Sequence, residues 1–166
     1  MKVQQPSRSG RFPDVARRKD IPIRIRALDT LPSDYVDLFT AVTDSAATSS
    51  AERWARAALE EASALGRFVA WRVLLGLRLE TQRSPKHVAG WEIVGAADDR
   101  IRIEARSWFM TANIVFQVEP GEVSFATLIR YDNPVAKLVW TPVSAIHRQL
   151  APEVLRAAVW RMGRRR

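Results

Sequence analysis

The sequence predicts an α+β domain in which a curved antiparallel sheet wraps around a long C-terminal helix, with two helices after the first strand. Three observations lead there. The hydrophobic period changes from 3.6 to 2 after Ser84-Pro85, so helical and stranded segments are segregated along the chain. Four alternating segments then follow in succession, joined by short turns such as Asp98-Asp99 and Glu119-Pro120-Gly121-Glu122, which is the pattern of an antiparallel meander. Last, the apolar stripe that begins at Ala136 is the one pattern long enough to lie across such a sheet. The 166 residues suffice for one domain, and 47% apolar with 27% charged residues is the balance of a globular protein.

Each element follows from local pattern. Residues 1–20 are polar, broken by Pro6, Gly10 and Pro13, and read as a disordered basic tail. Ile21, Ile23 and Ile25 alternate with Pro22, Arg24 and Arg26; the proline restricts that stretch to an edge strand or an extended arm. Tyr35 to Thr40 is a short strand rich in aromatic and branched residues. Ser49 and Glu52 have capping-box spacing, and Trp54, Ala55, Ala58, Leu59, Ala62 and Leu65 then share one helical face. Gly66 ends that helix. Arg67 to Leu79 is expected as a second, more buried helix, which Gly76 weakens by about 1 kcal/mol relative to alanine.

In the stranded half, Trp91, Ile93, Gly95 and Ala97 alternate, followed by Ile101, Ile103 and Ala105. Trp108, Met110, Ala112, Ile114, Phe116 and Val118 share one face of the next strand, opposite Thr111, Asn113 and Gln117. Val123, Phe125, Thr127, Ile129 and Tyr131 form the inner face of the last strand. Asn133 suits a helix cap and Pro134 a first helical position. The stripe beyond runs through Val139, Trp140, Val143, Ile146, His147, Leu150 and Val154. Pro142 and Pro152 are expected to kink or divide it, leaving a second piece from Glu153 to Met162. One folded domain, 21–162, thus lies between the tail 1–20 and a basic C-terminal tail, 163–166.

Composition excludes several chemistries. Without cysteine there are no disulfides, thiolate metal sites or thiol nucleophiles. His87 and His147 are the only histidines, so no metal is expected, and no cofactor-binding sequence occurs. No apolar run reaches the roughly 20 residues of a membrane-spanning helix, and the N-terminus lacks a secretory apolar stretch; a cytoplasmic protein is expected. The net charge of +8 sits at the ends: residues 1–32 carry +5, residues 146–166 carry +5, and the middle carries −2. No specific nucleic-acid partner is therefore expected, since a phosphate-tracking groove needs its basic face on the fold. Runs such as Arg17-Arg18-Lys19 and Arg164-Arg165-Arg166 offer weak, salt-sensitive peripheral attachment to anionic lipid or nucleic acid, or simply keep the chain solvated.

A set of short sequences carries a family resemblance. They include Asp34-Tyr35-Val36-Asp37, Trp54-Ala55-Arg56-Ala57, Leu75-Gly76-Leu77-Arg78-Leu79, Gly90-Trp91-Glu92-Ile93 and Ser107-Trp108. Thr111-Ala112, Tyr131 to Pro134, Leu138-Val139-Trp140 and Ile146-His147-Arg148 complete the set. Across residues 34–160 this resembles the helix-grip fold of the START and polyketide-cyclase-like (SRPBCC) superfamily, most nearly an actinobacterial branch known only as a domain of unknown function. The resemblance implies an apolar cavity for a lipid-like or polycyclic ligand, used for carriage in some members and for cyclisation or dehydration in others. It carries over no catalytic residues.

The candidate ligand-binding residues are Trp91, Trp108, Phe125, Thr127, Tyr131, Trp140 and His147, all on faces read as inward. The rings have an ordinary alternative as core, since each buries on the order of 150–250 Å². Thr127 and the Tyr131 hydroxyl would either orient a ligand oxygen or bond to neighbours. His147 follows Trp140 by seven residues and Val143 by four, so it shares their face. It is read either as an acid or base of a cyclase-type site or as a histidine pinning helix to sheet.

Overall fold

The computed structural model describes residues 14–18, 32–60 and 69–164. It is an α+β protein with a seven-stranded antiparallel sheet curved against a long C-terminal helix. The strands are β1 (Val15–Arg18), β2 (Tyr35–Val42), β3 (His87–Val88), β4 (Trp91–Ala97), β5 (Arg100–Arg106), β6 (Met110–Glu119) and β7 (Glu122–Tyr131). Their spatial order is β1-β2-β7-β6-β5-β4-β3, so only the β2–β7 pairing joins strands distant in sequence. Two helices, α1 (Ala51–Leu59) and α2 (Pro134–Arg164), share the concave face. The longer α2 covers β1, β2 and β7; α1 covers β6, β5 and the far edge, and the two pack together. Arg161 Nη1 donates to Ala57 O at 2.8 Å across that junction.

Several expected elements take a different form, each for a physical reason. Part of the expected tail is a strand: Val15–Arg18 pairs with β2, where backbone ladder bonds and the Arg17–Asp37 ion pair hold it. Residues 1–13, and the Ile21–Ile25 arm, lie outside the described residues. The cap of α1 is Ser50, one residue later than expected; its hydroxyl accepts from Arg53 N, while Glu52 pairs with Arg56 instead of reaching back. The second helix is not formed as expected. A π-helical stretch, Val69–Leu74, stops before Gly76, whose φ of +60° leaves the helical region. Beyond it Leu75, Leu77 and Leu79 are buried while Gly76, Arg78 and Glu80 are exposed, a period of two. That extended stretch is bound by Arg78 N to Arg106 O and Glu80 N to Gly90 O, both at 2.9 Å.

The C-terminal helix runs continuously through Pro142 and Pro152. Asn133 Oδ1 accepts from Val135 N at 3.0 Å, the cap expected before Pro134. Its buried line passes through Ala136, Trp140, Ser144, Ala151, Leu155 and Met162, leaving Ile146 and Leu150 outside. The opposite face of the sheet is buried too. Leu38, Val115, Ala126 and Leu128 form a second cluster there, and Thr111, Asn113 and Gln117, on the polar side of β6, are buried beside them. Thr111 satisfies its hydroxyl by donating to Asp132 Oδ2 at 2.8 Å and accepting from Arg130 Nη2 at 3.1 Å.

Candidate functional site beneath the C-terminal helix

Cross-strand register places three rows of side chains under α2. Phe39 lies opposite Phe125, Asp37 opposite Thr127, and Tyr35 opposite Ile129. The helix lays Trp140 and His147 over these rows. The Trp140 ring meets Tyr35 edge-on at 5.2 Å, and His147 stands 5.6 Å from Trp140 and 6.5 Å from both Phe39 and Phe125. Phe116 stacks on Phe125 at 5.0 Å.

Burial among these rings changes what His147 can do. Desolvation, with a smaller contribution from the Arg148 charge, lowers its pKa from 6.5 to about 4. At neutral pH the imidazole is therefore uncharged, a hydrogen-bonding group with no cationic proton to give. Its Nε2 is buried and finds no partner among the described residues. The same holds for Thr127 Oγ1 and Trp140 Nε1. Buried polar atoms are ordinarily satisfied; Trp54 Nε1, His87 Nδ1, Trp91 Nε1 and Asn113 Oδ1 also lack partners elsewhere among the described residues, and what sets this stretch apart is that three such atoms fall under one helix.

Asp37 is the residue that sequence reasoning missed. It is 2% exposed, yet carries a carboxylate into the row between Tyr35 and Phe39. Burial raises its pKa above 3.8, opposed by the hydrogen bond and charge of Arg17 and by the charge of Arg148. Arg17 Nε donates to Oδ1 at 2.8 Å, and the Tyr35 hydroxyl donates to Oδ2. The signal was in the strand itself: alternation puts Asp37 on the same side as Tyr35 and Phe39, an acid among rings. Arg17 had been grouped with free tail charges; it is instead committed to this carboxylate.

Of the expected residues, the fold brings together Phe125, Thr127, Trp140 and His147. Tyr131 ends the same strand face, half-buried, its phenol pKa raised mainly by burial. Trp91 is buried in the distant half of the sheet, edge-on to Trp71 at 5.4 Å. Trp108 contradicts its expected inward orientation: it is 65% exposed, because the chain turns through Ser107–Phe109 and Phe109 takes the buried position. The serine hydroxyl holds that turn, accepting from Met110 N at 3.2 Å.

A separate surface pocket of about 370 Å³ lies between the end of α1 and the β3–β4 hairpin, lined by Leu59, Trp71, Leu79, Arg83 and His87 among others. Among the described residues no cluster of His, Asp and Glu is arranged to hold a metal. The chain matches no protein-family model, no curated protein and no solved structure.

Proposed function

We propose that the protein binds a small, largely apolar molecule, lipid-like or polycyclic, between the curved sheet and the C-terminal helix. The observation that carries this reading is the trio of partnerless polar atoms, Thr127 Oγ1, Trp140 Nε1 and His147 Nε2, in a surround of aromatic rings. Rings favour an apolar body, and a few fixed polar atoms orient it. The indole N–H can only donate, so it calls for an acceptor such as a carbonyl or hydroxyl oxygen on the ligand. An uncharged imidazole suits a neutral oxygen better than an anion. A helix-grip carrier of the START-like kind has this arrangement of sheet and helix, and the resemblance of residues 34–160 supports the same reading.

Native mass spectrometry of the protein, purified without a delipidating step, tests the proposal, followed by titration with fatty acids, sterols and polycyclic ketones. A retained or titratable adduct that Thr127→Val and His147→Phe each weaken is the expected result. No adduct with any of these classes, or adducts indifferent to both substitutions, would overturn it.

A further inference from the structure

We propose that the outward face of α2, with the neighbouring Trp108 turn, docks on an anionic membrane surface. Leu138, Pro142, Ile146 and Leu150 recur at i+4 and form one ridge on the helix. Leu138 is 77% exposed, and Ile146 and Leu150 are each more than half exposed. Trp160, also more than half exposed, returns to within about 40° of Leu138 around the helix axis, roughly 33 Å further along it. At the other end the turn carrying exposed Trp108 is tied to the helix start. Phe109 O accepts from Asp132 N at 2.9 Å, and Asn133 Nδ2 donates to Trp108 O at 3.4 Å. The turn that carries exposed Trp108 is thus held beside the start of the helix.

The charge on this helix selects the partner. On the ridge side the helix carries Arg156, paired with Glu153, and Arg164, which Arg165 and Arg166 follow in sequence, whereas Arg161 is engaged with Ala57 O and the Arg148 charge acts on His147 and Asp37 beneath the helix. The Arg164 guanidinium lies 4.1 Å above the Trp160 ring, so cation and indole face outward together. The same face of a second copy offers Arg164 no free acid, since Glu153, the one acid of the helix, is already paired with Arg156. Nucleic acid would meet the arginines but leave leucine and isoleucine against phosphate. A headgroup layer matches both, with anionic phosphates for the guanidiniums and an acyl boundary for the ridge, and indoles favour that interface. Among the described residues no helix is long and apolar enough to cross a membrane, so the contact is one of lying on the surface.

The test is co-sedimentation of the full chain with phosphatidylcholine vesicles, with and without phosphatidylserine, alongside light scattering of the protein alone. Sedimentation is expected with the phosphatidylserine vesicles only, falling about tenfold in Leu138→Ser/Ile146→Ser and in Arg156→Glu/Arg164→Glu. The positions are exposed, so circular dichroism of these variants should match the parent. Failure of the parent to sediment, or undiminished sedimentation of both variants, overturns the proposal. So does a dimer in solution that Leu138→Ser/Ile146→Ser dissociates, which would make the ridge a self-association surface. Binding to a DNA duplex but not to vesicles overturns it equally.

Discussion

His147→Gln removes the one buried imidazole beneath the helix while keeping a polar side chain there. In the unfolded chain the imidazole titrates near 6.5; in the fold, burial among Phe39, Phe125 and Trp140 lowers that to about 4. As pH falls from neutrality the unfolded chain takes up a proton that the native chain refuses. The unfolding free energy therefore falls with pH, starting near the unfolded value and levelling off below about 4. The whole displacement corresponds to about 3 kcal/mol, of which about 2 kcal/mol is lost by about pH 5. Urea unfolding of parent and variant across a pH series isolates this group, because every other titration is common to both. Relative to the parent, His147→Gln should gain about 2 kcal/mol between about pH 7.5 and pH 5, moving its midpoint by about 1 M urea. A gap between the two proteins that stays constant across the series would refute the reasoning, since the ring would then titrate alike in both states.

Thr127→Val exchanges a buried, unpartnered hydroxyl for a methyl group and should stabilise the free protein by about 1–3 kcal/mol in urea unfolding; a loss of stability would mean the hydroxyl is already bonded. Asp37→Asn should flatten the pH profile. Its native pKa is raised above 3.8, so its contribution is present below the unfolded value and lost as pH rises through the native one. The variant should therefore gain on the parent as pH rises through that window, and parallel profiles would contradict this. The β3–β4 hairpin turns through Ala89 and Gly90, both at positive φ, as a two-residue turn requires. Ala89→Gly should add up to about 1 kcal/mol, whereas Gly90→Ala, whose Cβ would sit 2.6 Å from Glu80 O, should cost about 3 kcal/mol. Thermal unfolding of the pair checks both signs.

How much of the site was legible follows from how local each signal is. The rows on β6 and β7 could be read because alternation is a property of neighbours in sequence, and Met110, Ile114, Phe125 and Thr127 fall inside as it dictates. The Asn133-Pro134 helix start was legible for the same reason. Trp108 was misplaced because the periodicity was carried two residues ahead of the strand, and only the Ser107 turn shows where the strand begins. Leu75 to Leu79 was read as helix since a short apolar run fits either period; the bonds that settle it, to Arg106 O on β5 and to Gly90 O in the β3–β4 turn, come from outside the run.

The amino-acid order alone determined the segregation of helices from strands, the antiparallel meander, the helix cap and the absence of thiol chemistry, because each is set by residues a few positions apart or by composition. Tertiary structure decided the rest. Pairing β2 beside β7 set Asp37 across from Thr127, and the curvature of the sheet decided which side of α2 met it. That choice put His147 among rings and left Leu138, Ile146 and Leu150 in the open. A helix has apolar groups on several sides; which of them become interior depends on the surface it packs against, and no local pattern contains that surface.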